Sequence, residues 1–197
     1  MKEHNVPDWY IKSCEKIKYM FPKAHAAAYV TNAFRIAWFK VHIPLAYYAA
    51  YYSIRAKAFD AQYMIFGKEK VKNKMKEIEM KNQKKEATKA ELDMYDDLEI
   101  VLEMYERGFE FLPVDIYESE ASKFKIQDNK LRPPLNSIPG FGTVAAQGIV
   151  NARKDGKFMS IDDLKIRAKI GASGAELLKQ FGCLEGMSQS NQLSLFG

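Results

Sequence analysis

Residues 138–153 read IPGFGTVAAQGIVNAR, and the rest of the chain is parsed outward from them. Ile138 precedes Pro139, Gly140 and Gly142, and Ala146, Ile149 and Val150 follow at helical spacing. The pattern predicts a tight turn that opens a helix. Gly140 and Gly142 let the backbone take positive φ and pass close to another molecule, which a residue with a Cβ does only at a cost. Ala146 and Ile149 fall on the inward face of that helix. The amides of the turn and of the first helical turn face outward, where they can hold a phosphate. Such contacts read a backbone rather than bases. Two features work against a full two-helix unit. Pro133 and Pro134 leave little room for a preceding helix, and Gly148 weakens the following one by about 1 kcal/mol relative to Ala.

The stretch resembles the helix-hairpin-helix motif, a DNA-binding element of form apolar-x-G-x-G-x-x-x-A-x-x-I. By that resemblance, duplex phosphates are expected at Pro139, Gly140, Phe141, Gly142, Thr143 and Ala145, with Arg153 and Lys154 beyond the helix. Further on, Ser160 with Asp163, and Ser173 with Glu176, satisfy the S-x-x-[DE] capping pattern before two short apolar helices. Joined through Lys169, Ile170 and Gly171, these form a second copy without the double glycine, in which Lys169, Gly171 and Ser173 would carry any phosphate contact. A purely structural second copy fits the sequence equally well.

Upstream, Pro7 and Asp8 start a helix with Trp9, Cys14, Ile17 and Phe21 as a rough apolar stripe, which Pro22 stops. Residues 24–55 are the most apolar region, but Arg35, Lys40, His42 and Pro44 interrupt them, so no membrane span is expected. They read as two helices broken at Pro44 and buried on most sides. Lys23 and His25 at the mouth of the first helix suggest a phosphate or acid-base role, with capping or packing as the alternative, and Arg35 within it is either paired or aimed at a ligand. Asp60 reads as an N-cap. Residues 67–91 form a lysine- and glutamate-rich helix or helical pair, either a solvated face or a surface near DNA. Leu92, Tyr95, Leu98, Val101, Leu102 and Tyr105 then make an amphipathic helix ended by Gly108. Asp93, Asp96 and Asp97 read as its solvent-facing charges. Residues 123–132 read as two short strands around Asp128 and Asn129.

The fold class is therefore mainly α with a small β-hairpin element. The chain has 197 residues, 47% hydrophobic and 28% charged, with a net charge of +5 that permits a polyanionic partner. Cys14 and Cys183 are the two cysteines, far apart, so a reducing, cytoplasmic setting and no zinc site are expected. Nothing at the amino terminus resembles a signal peptide. Residues 187–191 are polar and expected to be mobile. Gln192, Leu193, Ser194, Leu195 and Phe196 follow as an apolar terminal pentapeptide suited to a partner's pocket. It resembles the sliding-clamp binding motif of bacterial replication proteins.

Four blocks extend the likeness: KYMFPKAHAAAYV at 18–30, VDIYESEASKF at 114–124, RPPLNSIPGFGTVAAQGIVNAR at 132–153 and GCLEGMSQSNQLSLF at 182–196. The chain resembles, nearly end to end, the carboxyl-terminal part of a PolC-type replicative DNA polymerase of the C family. That resemblance implies distal fingers over residues 1–115, a duplex-binding module over 116–187 and a clamp-binding tail over 188–197. It implies duplex DNA, the sliding clamp and the remainder of the polymerase, its palm and thumb, as partners. It also implies that Mg2+ and its aspartates belong to the palm, so this chain alone would be inactive and carry no metal or cofactor. The competing reading is a non-enzymatic replication or repair adaptor with paired hairpins and a clamp tail.

Overall fold

Prolines punctuate the first helices. Pro7 precedes α1 (Asp8–Lys16), Pro22 opens α2 (Pro22–His42) and Pro44 opens α3 (Pro44–Ile54). A proline is tolerated at a helix start because the amide it lacks would have no intrahelical partner there. The computed structural model describes residues 1–16 and 22–190. Ile17 and Phe21 of the expected stripe, and the pentapeptide Gln192, Leu193, Ser194, Leu195 and Phe196, lie outside the described residues.

The chain divides into two compact units, Met1–Ile43 and Pro44–Gly197. In the first, α2 carries many large apolar side chains that are uncovered, with Phe34 72% and Trp38 54% exposed. Burial on most sides, expected for residues 24–55, holds only for α3, where Leu45, Tyr48 and Tyr52 are buried.

The second unit begins with α3 and α4 (Ala61–Met64), whose N-cap Asp60 accepts from the Gln62 amide at 2.7 Å. Then α5 (Lys68–Gln83) and α6 (Lys89–Glu106) pack as an antiparallel pair, burying Val71 and Ile78 against Leu98, Val101 and Met104. Ion pairs pin both ends: Lys72 to Glu106 at 3.2 Å, and Lys81 to Glu91 at 2.6 Å. The lysine-rich segment is thus a helix and the opening of its partner. Thr88 and Glu91 form a capping box that starts α6 ahead of its apolar stripe. At the other end Gly108, at φ +81°, turns the chain out of the helix.

Strands β1 (Lys125–Gln127) and β2 (Lys130–Arg132) pair antiparallel through a two-residue turn, with Asp128 and Asn129 both at positive φ. That conformation matches strand twist, and Asp and Asn tolerate it. Phe111 bridges to Leu131 alongside them. A ring cluster ties this region to α3: Tyr52 lies 5.3 Å from Phe124 and 5.7 Å from Phe111, with Phe59 4.8 Å from Phe124. The boundary expected near Asp115 therefore falls inside one continuous core, because aromatic packing joins residues on either side of it. A single 3-10 turn (Leu135–Ser137), α7 (Thr143–Ala152), a 3-10 turn (Arg153–Asp155), α8 (Ile161–Ala168) and α9 (Ala172–Gln180) complete the unit.

Candidate functional site

Only the one 3-10 turn precedes the glycine hairpin, as the two prolines demand. Ile138 is buried and accepts from the Phe141 amide at 2.9 Å, closing the turn. Gly140 takes φ +78°, but Gly142 does not need its glycine freedom: it is the N-cap of α7 at φ −70°. A Cβ on Gly142 would meet nothing within 4 Å, so the bare position leaves room outside the molecule. Phe141 is only 4% exposed, so its ring anchors the hairpin from within instead of reaching a phosphate.

The first intrahelical bond of α7 runs from the Ala146 amide to the Gly142 carbonyl, at 3.0 Å. Among the described residues, nothing accepts from the amides of Thr143, Val144 and Ala145, and Gly142 supplies no side-chain cap. Three donors and the positive end of the helix dipole thus face solvent together.

The second copy repeats this backbone with one glycine instead of two. Lys169 takes the left-handed position at φ +54° where the first copy has Gly140. Gly171 is the N-cap of α9, as Gly142 is of α7, and Ile170 between them is buried like Phe141. Ser173, expected as the cap, lies inside the helix, because α9 starts two residues earlier than its capping pattern indicates. Ser160 does cap α8, accepting from the Asp163 amide at 3.1 Å. The two hairpins pack together: a Cβ on Gly174 would lie 3.3 Å from the Phe141 ring, and one on Gly140 3.5 Å from Leu177.

Gly148 reverses its sequence reading. A Cβ there would overlap the Ala168 carbonyl oxygen, with the carbonyl carbon at 3.3 Å. The residue that weakens α7 as a helix is the one that lets α8 approach it.

Arg153 and Lys154 leave the site. The Arg153 guanidinium donates to the Ser119 and Ile116 carbonyls at 2.6 and 3.1 Å, tying the end of α7 to the loop after Asp115. Lys154 is exposed but follows the far end of α7, roughly 15 Å along a ten-residue helix from the free amides. Arg167, which the sequence reading passed over, binds the Ala152, Gly156 and Lys157 carbonyls and stacks on Phe158 at 4.7 Å.

Comparison with known proteins fits this geometry. The helix-hairpin-helix motif family matches residues 108–193. The chain is 53% identical to the DNA polymerase III PolC-type of Caldanaerobacter subterraneus and 53% identical to that of Bacillus subtilis, over 196 residues in each case. It is 51% identical over 197 residues to that of Clostridium perfringens. Each alignment covers 100% of this chain and 14% of the relative.

This chain belongs to the PolC-type DNA polymerase III family. It spans about 14% of the length of the PolC-type relatives it matches.

Two of the three aspartates on α6 are engaged by groups of this chain. Asp97 was expected to face solvent but is 2% exposed. One of its oxygens accepts from the Lys57 and Ala58 amides at 2.9 and 2.8 Å, and the other from the Tyr51 hydroxyl at 3.3 Å. Burial pushes its carboxyl above the ordinary range, while those donors pull the other way. Asp93 pairs with Lys57 at 3.5 Å. Among the described residues no group of three or more His, Cys, Asp or Glu is placed to hold a metal ion.

Lys23, His25 and Arg35 belong to the first unit and are exposed on α2, with the His25 ring against Tyr29 at 4.1 Å. Among the described residues no helix is long and apolar enough to cross a membrane. Residues 188 and 189 are not free as expected: the Ser188 and Gln189 carbonyls accept from the Ile161 and Asp162 amides at 2.9 and 3.1 Å. The chain is strapped across the start of α8 before the terminal pentapeptide begins.

Proposed function

We propose that this chain is the part of a PolC-type replicative DNA polymerase that grips the newly made duplex by its phosphates, without base preference, and tethers the enzyme to the sliding clamp. The observation that carries the duplex reading is the set of uncommitted amides at Thr143, Val144 and Ala145, beside a Gly142 whose open side admits a phosphate. The repeated geometry at Lys169, Gly171 and Ser173 supports a second contact on the same backbone. Gln192, Leu193, Ser194, Leu195 and Phe196 supply the clamp contact in this reading. Two modest contacts joined by one chain raise effective concentration without reading sequence, which suits an enzyme that must move along any template.

The palm and thumb, with Mg2+ and its aspartates, lie in the remainder of the polymerase, and this chain alone is inactive. The uncovered α2, with Phe34 and Tyr29 the most exposed of its large apolar side chains, supports a place for the first unit against that remainder. Lys23, His25 and Arg35, exposed on the same helix, would approach an incoming nucleotide in this reading.

Val144→Glu separates binding from folding. Val144 is 89% exposed in the first turn of α7, so a carboxylate there favours the helix by about 0.3–1 kcal/mol while repelling phosphate. The expected result is unchanged or raised stability with weakened, less salt-dependent duplex binding in fluorescence anisotropy. Unaltered binding would refute the phosphate reading.

A further inference from the structure

The glycine hairpin does not stand alone. Its residues 136–142 form one wall of an open groove of about 520 Å³, and Ala90, Glu91 and Met94 from the start of α6 form part of the other. Directly before Ala90 come the turn between α5 and α6 and the first residue of α6, which together read KKEATK from Lys84 to Lys89.

The lysines of this region fall into two groups. Lys72, Lys74 and Lys81 are paired with Glu106, Glu77 and Glu91. Lys84, Lys85 and Lys89 are exposed, and among the described residues no carboxylate lies within ion-pair distance of them. The acids nearby do not offset them equally. Glu91 is engaged by Lys81 and by the Thr88 amide and hydroxyl. Asp60, on the groove wall, is held as the cap of α4, and Glu86 is the remaining carboxylate of the turn. Lys85 also adopts φ +61°, a left-handed conformation unusual for lysine, so the turn displays its side chains from a constrained backbone.

We infer that this turn is a second lip of the duplex-binding surface, with Lys84, Lys85 and Lys89 holding phosphates across the groove from the amides of α7. The inference rests on the duplex reading above and extends it to an element outside the hairpin module. Charge complementarity selects the occupant: the exposed, unpaired lysines directly precede one wall of the groove and the open amides directly follow the other, and a polyanionic backbone satisfies both. The amides fix position along the backbone, while the flexible lysines follow it as it slides.

The test is duplex binding by the 197-residue chain over a salt series, comparing K84Q/K85Q/K89Q with K123Q/K125Q/K130Q, which removes equal charge at the β-hairpin, and with V144E. Abolishing one lysine–phosphate pairing should lower the log–log salt slope by about 0.9, so that affinity falls about 3.5-fold less per pairing between roughly 50 and 200 mM salt. A shallower slope in the α5–α6 variant, with the β-hairpin variant near the parent, supports the second lip. Equal losses in both triple variants would reduce the effect to bulk charge and overturn it. If V144E weakens binding and the α5–α6 variant does not, the hairpin reading survives and the second lip falls. If none of the three departs from the parent, both fall together.

Discussion

Replacing Gly148 by alanine tests the packing of the hairpin module, because helix propensity and structure give opposite signs. Propensity alone favours Ala over Gly in a helix interior by about 1 kcal/mol. The added Cβ, however, would overlap the Ala168 carbonyl oxygen, a backbone atom that cannot swing aside as a side-chain tip can. Relief requires α7 and α8 to separate by about 1 Å, and a gap of that order forfeits a quarter to a half of each dispersion contact along the seam. The seam includes Ala146, Ile149, Leu164 and Ala168, all buried. Overpacking of this kind costs about 1–3 kcal/mol. With the upper figure for a backbone clash, less the propensity gain, the expected net loss is about 2 kcal/mol. For a chain of this size that lowers the melting temperature by about 4–8 °C, measurable by circular dichroism. Duplex binding should weaken too, since the two hairpins are held in register through the same seam. A stabilised variant with intact binding would refute the close-approach argument.

Asp97→Ala should lower stability by about 2–3 kcal/mol in urea unfolding, because it strands the Lys57 and Ala58 amides without an acceptor. Glu91 titrates at about 2, below its ordinary 4.5, because Lys81 and Thr88 bond its charged form. Its contribution is therefore present above about pH 4.5 and lost as pH falls toward 2, and Glu91→Gln should flatten that part of the acid-unfolding curve. Leu195→Ala with Phe196→Ala should abolish sliding-clamp capture and leave duplex binding intact, read by pull-down and anisotropy on the same preparation; equal loss of both would count against a separate tail contact.

Much of this fold is legible in the sequence because short-range chemistry determines it. Pro44 breaks the apolar region, Asp128 and Asn129 make the turn their φ preferences favour, and Ser160 caps its helix. The glycine spacing also locates the hairpin. What sequence reading lacks is direction in three dimensions. Asp97 lies on a charged stretch, and only the arrival of residues 57 and 58, just beyond α3, makes it an interior anchor. Arg153 follows the hairpin helix as a phosphate ligand would, yet the loop after Asp115 captures it. Gly148 needs a partner helix before its purpose exists. The Thr88 and Glu91 box is visible as T-x-x-E but lies hidden in a run of lysines. Lys169 can replace a glycine because one left-handed residue costs little beside the packing that holds it.

On the proposed reading, the strap formed by Ser188 and Gln189 limits how this chain could hold a clamp. Only Ser190 and Asn191 separate it from Gln192, a reach of about 10 Å at full extension. A clamp caught by this terminus would hang on a short leash at the amino-terminal end of α8, with little freedom to swing. Lengthening that leash by a few glycines should loosen the coupling between ring and hairpins while leaving each grip unchanged.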